Sequence, residues 1–157
     1  MKEERTLIII KPDALQRNLL GEIIHRFEKK GLKIIGLKMA QLGDVLIEEH
    51  YGHHKDKPFF DSIKKYIKSS PVVVMALSGI NTVKAVRLIV GPTKGYEADA
   101  GSIRGDFSMS IQTNIVHASE SGEIAGTEIN RFFKPEEMFD YKKIDFDFIY
   151  GEEERGA

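Results

Sequence analysis

Thr6-Leu7-Ile8-Ile9-Ile10, closed by Lys11-Pro12-Asp13, is a continuous aliphatic and β-branched run. Such a run without alternation marks a strand buried on both faces, and Pro12, which has no N–H for a ladder, ends it. Outward from this strand, Ile23, Ile24 and Phe27 recur at helical spacing between Gly21 and Gly31, with Gly31 as a C-terminal stop. Leu32 to Leu42 reads as a second strand. Helical patterning follows through Val45, Leu46 and Tyr51, then through Phe59, Phe60, Ile63, Tyr66 and Ile67. After the break Ser69-Ser70-Pro71, Val72-Val73-Val74-Met75-Ala76-Leu77 forms a third strand closed by Gly79. Asn81 to Val90 carries a helical stripe ended by Gly91-Pro92. Residues 93–113 show no sustained period and read as a long loop, a kind of segment that is usually functional or disordered. Asn114-Ile115-Val116-His117 is a short fourth strand, and Ile124, Ala125, Ile129 and Phe132 mark the helix behind it.

The order is therefore β-α-β-(αα)-β-α-β-α, without repeats or a low-complexity linker. Split β-α-β elements in duplicate predict an α/β (α+β sandwich) fold of ferredoxin-like type: four mainly antiparallel strands with helices on one face. Periodicity alone leaves a doubly wound sheet open. One domain over residues 1–157 is the economical reading, with a C-terminal tail over about residues 135–157.

The chain has 157 residues, with 23 Lys and Arg against 24 Asp and Glu and a formal charge of −1. This length supports a core that hides roughly 70% of the unfolded chain's surface. The charge balance lacks the basic excess of a sequence-independent nucleic-acid or membrane-surface binder, so no specific nucleic acid and no membrane are expected as partners. Any anionic ligand must meet a local cluster of cations. With no cysteine, disulfide scaffolds, thiolate zinc sites and cysteine nucleophiles are excluded. The charged start Met1-Lys2-Glu3-Glu4-Arg5 and the brevity of the apolar run Leu7 to Ile10 do not make a signal segment, so a cytoplasmic protein is expected. Charged residues at 30%, with only three Gln and four Asn, lean toward a heat-adapted source.

No P-loop, dinucleotide-binding or nucleophile-elbow motif occurs. Instead, cations sit at element ends: Lys11 past the first strand, Arg87 in the helix before the long loop, Arg104 within it. These suit polyphosphate oxygens if the fold gathers them, with Thr93 and Asn114 as neutral donors. Taken singly, each is more often a solvated charge. His117 ends a buried strand before Ala118-Ser119-Glu120-Ser121. A neutral imidazole there is a competent nucleophile or base once an acceptor fixes its tautomer, and Glu128 is the candidate acceptor; the alternative is an ordinary satisfied histidine. His50, His53 and His54 lie at i, i+3 and i+4, where they would share a helical face able to bind a metal or simply face water. Phe59 and Phe60 are core residues, or one is a stacking platform for a base. Arg104-Gly105-Asp106, an adhesion tripeptide in secreted proteins, is accidental here.

Taken in order, several segments resemble nucleoside diphosphate kinases. They are Glu4-Arg5-Thr6-Leu7 with Lys11-Pro12-Asp13-Ala14, Gly21-Glu22-Ile23-Ile24 with Arg26-Phe27-Glu28, and His50-Tyr51. Lys57-Pro58-Phe59-Phe60, Ser70-Pro71-Val72-Val73, Ile103-Arg104-Gly105-Asp106-Phe107 and Asn114-Ile115-Val116-His117 complete the set, which runs from about Glu4 to Tyr150. The resemblance implies a ferredoxin-like subunit that moves the terminal phosphoryl group from a nucleoside triphosphate to a diphosphate through a phosphohistidine. It implies His117 as the nucleophile, Glu128 and Ser119 behind it, and Lys11 and Tyr51 beside the reacting phosphate. It further implies Phe59 and Ile111 on the two faces of the base, Arg87, Thr93 and Arg104 on phosphates, and Asn114 with Lys11 on the sugar. Mg²⁺ is the implied cofactor, nucleoside tri- and diphosphates the implied ligands, and a trimer-based homohexamer the implied assembly, with a tetramer as runner-up. The tail aromatics Phe139, Tyr141, Phe146, Phe148 and Tyr150 are expected to be buried against a neighbouring subunit.

Two segments depart from the family pattern. His117-Ala118-Ser119-Glu120-Ser121 stands where His-Gly-Ser-Asp-Ser is usual, so Glu120 replaces the aspartate associated with hydrated magnesium. Ala100-Gly101-Ser102-Ile103 replaces Pro-Gly-Thr-Ile, a change that bears on loop rigidity. A catalytically silent nucleotide-binding regulator of the same fold is the competing class; it should lack the nucleophile, its carboxylate or the cations, all of which are present.

Overall fold

Strand β1 (Glu3–Ile10) pairs antiparallel with β3 (Val72–Ile80), with Leu7 opposite Ala76 and Ile9 opposite Val74. This is a computed structural model that describes residues 2–156. On its other side β1 pairs antiparallel with β4 (Val116–Ala118), where Ile9 faces His117. β2 (Lys33–Ala40) pairs antiparallel with β3, and the sheet order is β2-β3-β1-β4. Between β1 and β2 run α1 (Pro12–Gln16) and α2 (Leu20–Lys29). Then come α3 (Asp44–Tyr51) and α4 (Phe60–Ile67), α5 (Thr82–Val90) and α6 (Ile103–Phe107), and α7 (Gly122–Phe132) after β4. In each split β-α-β unit the two strands are separated by one strand of the other unit, which is the ferredoxin-like arrangement and excludes the doubly wound sheet.

The helices cover both faces of the sheet, not one. Ile8 and Ile10 turn to a core built with Ile23 and Phe27 of α2, Val86 and Val90 of α5, and Ile103 of α6. Leu7 and Ile9 turn to a second core with Ile47 and Tyr51 of α3, Phe60 and Ile67 of α4, and Ile129 and Phe132 of α7. The reason lies in the strand sequences: every residue of β3 and the second half of β1 are buried, so both faces carry apolar side chains that need cover. Each fully buried aliphatic side chain contributes about 1.5–3 kcal/mol over leaving it in water.

Residues 93–113 are not a structureless loop. They hold a 3-10 turn at Gly95–Glu97 and α6, whose N-cap Ser102 accepts a hydrogen bond from the Gly105 amide. One helical turn is too short to register as a period, which is why the sequence pattern misses it. A Cβ at Gly105 would lie 1.9 Å from the Asp99 carbonyl oxygen, so only glycine fits there. Arg104 is buried and Asp106 pairs with Arg26 at 2.7 Å, so the Arg-Gly-Asp tripeptide is built into the fold.

Part of the tail is tied to its own chain. The Phe139 amide donates to the Ile35 carbonyl (2.8 Å), Tyr141 donates to the Ile34 carbonyl (2.8 Å), and the Tyr150 hydroxyl accepts from the Ile80 amide (3.0 Å). These contacts sit at the β2 bulge between Ile34 and Gly36 and at the end of β3, where backbone groups lack strand partners. Phe146 packs on Tyr150, so part of the aromatic tail folds onto its own chain, while Phe139 and Phe148 stay exposed. Among the described residues, no helix is long and apolar enough to cross a membrane.

Candidate active site

His117 lies mid-β4, one strand from the sheet centre, with its side chain 22% exposed. Its Nε2 sits 2.7 Å from Oε2 of Glu128, which α7 presents from its buried face. Ser121 fixes the start of that helix by accepting from the Ile124 amide. Burial pushes the Glu128 carboxyl up, but the hydrogen bond and charge interaction with His117 outweigh it and hold the pKa below its ordinary value. An ionised carboxylate accepts only, so Nε2 carries the proton and donates it. The Nδ1 lone pair is thereby left as the basic, nucleophilic atom.

His50, at the end of α3, stands edge-on to His117 with ring centroids 4.6 Å apart. Its Nδ1 lies 3.0 Å from Nη1 of Arg131 and 3.3 Å from Oε2 of Glu128. A guanidinium only donates, so Nδ1 accepts from Arg131. Burial, helped by His117 and Arg131, pushes its pKa down to about 3, so this ring is neutral. Beside it the Tyr51 hydroxyl is buried without a hydrogen-bond partner, and burial together with the Glu128 charge raises its pKa. An unpaired buried hydroxyl costs about 1–3 kcal/mol, and a bound anionic oxygen would relieve it.

A second cluster surrounds Lys11. Its Nζ donates to Asn114 Oδ1 at 2.6 Å, and Asn114 Nδ2 donates to the Thr93 carbonyl at 3.0 Å. Arg104 donates through Nε to the Asn114 carbonyl (3.2 Å), through Nη1 to Gly91 (2.9 Å) and through Nη2 to Val116 (2.5 Å). Burial lowers the Lys11 pKa to about 7, with the Arg104 charge adding to the effect. Burial, then Arg87, lowers Arg104 to about 10. Cations are thus gathered and desolvated before any anion arrives, and near pH 7 Lys11 holds its charge only in part until one does.

The two clusters meet through a strained turn. Ile115 has φ of 76°, a left-handed conformation that a β-branched residue rarely adopts, and the Val116 amide closes a γ-turn onto the Asn114 carbonyl at 2.8 Å. Asp13 holds the turn: one oxygen accepts from the Ile115 amide (3.0 Å) and the other from the Tyr66 hydroxyl. The Lys11 amide donates to the Ile115 carbonyl at 2.9 Å. The turn aims Asn114 at Lys11 and sends the chain into β4 with His117.

The remaining candidates are placed less tightly. Arg87 and Glu120 are exposed and line one cavity of about 730 Å³ with Gly91, Pro92 and Ser102. Thr93 is exposed, and its backbone, not its side chain, is engaged. Phe59 and Ile111 are 43% and 51% exposed, and a Gln112–Ser62 hydrogen bond of 3.0 Å ties their two segments together. Ser119 is fully buried, its Oγ accepting from the Leu7 amide at 3.1 Å. His50, His53 and His54 do not share a helical face. Gly52 ends α3, so His50 turns inward while His53 and His54 contact each other at 3.9 Å in a 3-10 turn. Sequence reasoning gave no site role to Asp13, Tyr66 or Arg131. Asp13 and His50 lie inside quoted motifs, but nothing in spacing marks Tyr66 or Arg131.

A sequence profile described as "Nucleoside diphosphate kinase" matches residues 4–138. The chain is 49% identical to a nucleoside diphosphate kinase of Parabacteroides distasonis over 151 residues, covering 96% of this chain and 99% of that protein. It is 52% identical over 143 residues to one of Pyrococcus horikoshii, covering 89% and 91%. A halophilic nucleoside diphosphate kinase from Halobacterium salinarum, solved in complex with CDP, superposes with a TM-score of 0.93 at 38% identity, covering 96% of this chain and all of that one.

Proposed function

Since this chain belongs to the nucleoside diphosphate kinase family and is a phosphotransferase of that kind, we propose that it works through a phosphohistidine on His117. The observation that carries this reading is the 2.7 Å contact between Nε2 and Glu128, which sets Nε2 as the donor and so, in the neutral ring, places the lone pair on Nδ1. Nδ1 attacks the terminal phosphorus of a nucleoside triphosphate, a P–N bond forms, and the bond to the bridging oxygen breaks to release the diphosphate. The imidazole keeps its Nε2 proton and gains positive charge, which Glu128 balances. The terminal oxygen of a second diphosphate then attacks the same phosphorus and the P–N bond breaks. One site serves both halves, so the reaction is reversible and ping-pong.

Lys11 and the Tyr51 hydroxyl would meet the moving phosphoryl group, while Arg87, Arg104 and Thr93 hold the other phosphates. Asn114 with Lys11 would reach the sugar, and Phe59 with Ile111 would hold the base by its faces. Catalysis is then alignment plus preorganised charge. Ser119 supports the site by fixing β4 against β1. The CDP complex of the Halobacterium relative supports a diphosphate-binding cleft here. Mg²⁺ would enter on the phosphates and supply further charge neutralisation. An exposed Glu120, sharing a cavity with Arg87, fits the loose, water-mediated contact that such a strongly hydrated ion favours.

We place this activity in the cytoplasm, in a trimer-based hexamer. The exposed Leu37 and Met39 on the edge strand β2, together with Phe139 and Phe148, are apolar surface that a subunit contact would cover. Light scattering should return a hexamer mass, and a monomer mass at micromolar concentration would exclude it. For the chemistry, γ-labelled ATP with Mg²⁺ and no diphosphate should leave acid-labile, base-stable label on His117, discharged by any added diphosphate. Label that persists in His117→Ala would move the nucleophile to another residue.

A further inference from the structure

Two imidazoles converge on one buried carboxylate: His117 Nε2 and His50 Nδ1 lie 2.7 and 3.3 Å from the same Oε2 of Glu128. One ligand atom from each residue falls within 4.8 Å of the others. The side chains of His50 and Glu128 are 2% and 6% exposed, and Oε1 of Glu128 is buried without a hydrogen-bond partner among the described residues. Two neutral imidazoles and a carboxylate make the His₂Glu donor set that zinc accepts, with a fourth position left for water. Zinc bonds of about 2.0–2.2 Å in tetrahedral array separate ligand atoms by roughly 3.3–3.5 Å. The His50–Glu128 pair already has that separation, and the His117–Glu128 pair needs to open by less than an ångström.

We propose that His50, His117 and Glu128 form a capture site for a borderline transition-metal dication such as Zn²⁺, separate from the nucleotide-borne Mg²⁺. The ion binds the other neutral tautomer of His117: the ring proton passes through solvent from Nε2 to Nδ1, and bonds form to His117 Nε2, His50 Nδ1 and Glu128. Arg131 is the opposing charge. Its Nη1 donates to His50 Nδ1 at 3.0 Å, so it must turn outward from its half-buried position, and its charge weakens the site. His50, held neutral by burial, needs no deprotonation. Mg²⁺, which prefers oxygen ligands and octahedral geometry, is a poor fit for two imidazoles.

The functional consequence rests on His117 Nδ1 being the nucleophile. Coordination at Nε2 keeps the ring proton on Nδ1, where it occupies the lone pair that attacks phosphorus, and engages the carboxylate that balances the ring's developing charge, so phosphorylation of His117 stops. The phosphate cations and the base platform are untouched, so nucleotide still binds. Inhibition is therefore non-competitive with nucleotide.

The test starts with nucleotide-free wild-type protein, because nucleotides themselves chelate zinc. Titrated ZnCl₂ should bind at one equivalent, and Co²⁺ in its place should give the intense visible absorption of a tetrahedral site. Long-range ¹H–¹⁵N spectra should show the resonances of His117 Nε2 and His50 Nδ1 moving. His50→Phe should weaken binding at least tenfold, whereas the double variant His53→Ala/His54→Ala should leave it unchanged. If His50→Phe fails to fold, the wild-type nitrogen spectra decide alone. No binding at millimolar metal, or binding lost only in the His53/His54 variant, overturns the site. Metal bound at the triad while γ-labelled ATP still phosphorylates the protein would uphold the site and refute both the inhibition and the nucleophile assignment.

Discussion

Nucleotide binding should draw a proton from solvent, in an amount set by Lys11. Burial and the nearby Arg104 charge lower its pKa to about 7 in the ligand-free protein. At pH 8 about 0.9 of the population is then neutral, and at pH 6 about 0.1, from the titration curve of a single group. A polyphosphate favours the ammonium form by direct charge attraction and restores the proton. Binding ADP at pH 8 should therefore take up about 0.9 proton per site, whereas at pH 6 the share taken by Lys11 falls to about 0.1. At pH 8 the ADP phosphates are already ionised and release nothing to mask the uptake. The sign follows directly: the bound state holds more protons, so affinity falls as pH rises above 7, approaching tenfold per unit. Calorimetry in two buffers of different ionisation enthalpy measures the proton count. Lys11→Arg, which stays charged at every accessible pH, should abolish the uptake. Heats independent of buffer at pH 8, or uptake that survives Lys11→Arg, would refute the assignment.

Glu128→Gln leaves Nδ1 in place but loses the charge that fixes the tautomer and balances the imidazolium, so labelling should slow by about 10²–10⁴-fold in rapid-quench measurements. Phe59→Ala should raise KM for every diphosphate by roughly 5–150-fold, the equivalent of about 1–3 kcal/mol of stacking, with kcat little changed; loss confined to one base would contradict a face-on clamp. Gly105→Ala drives a Cβ to 1.9 Å from the Asp99 oxygen and should cost at least about 1–3 kcal/mol in urea unfolding.

How much of this was legible in the sequence follows from the length of each signal. The runs Thr6–Ile10 and Val72–Leu77 announce central strands because an eight- or nine-residue strand leaves a long pattern. The same runs imply that both sheet faces are covered, a consequence that the one-face expectation failed to draw. His117 and Glu128 were legible as a pair from strand-end and helix spacing, and the structure closes them to 2.7 Å. The convergence of Lys11, Asn114 and Arg104 was not legible from spacing, because residues far apart in the chain meet only through β1, the γ-turn and α6. Tyr66 and Arg131 are ordinary helix residues in sequence. Only the tertiary fold sets Tyr66 on Asp13 and Arg131 on His50.

On the proposed assignment, the site is rigid where charge would move and open where the base would sit. Lys11, Asn114 and Arg104 are buried and locked to backbone carbonyls or to one another, so they lose little freedom when phosphate binds. The strain at Ile115 serves this rigidity. A left-handed β-branched residue costs about 1–3 kcal/mol, which persists because Asp13 and the Lys11 amide over-determine the turn. Relaxing Ile115 would release Asn114 from Lys11 and shift the register of β4, moving His117 with it. At the other end, Phe59 and Ile111 are about half exposed and tied only by one exposed Ser62–Gln112 bond. In the Ile111 segment the buried Ser108 hydroxyl is already engaged by the Ser110 and Thr113 carbonyls, at 3.1 and 3.4 Å. On the proposed assignment, a tightly held phosphate end and a shallow base end together would favour acceptance of purine and pyrimidine diphosphates alike, because the chemistry would be aligned from the phosphate side whichever ring rested on Phe59.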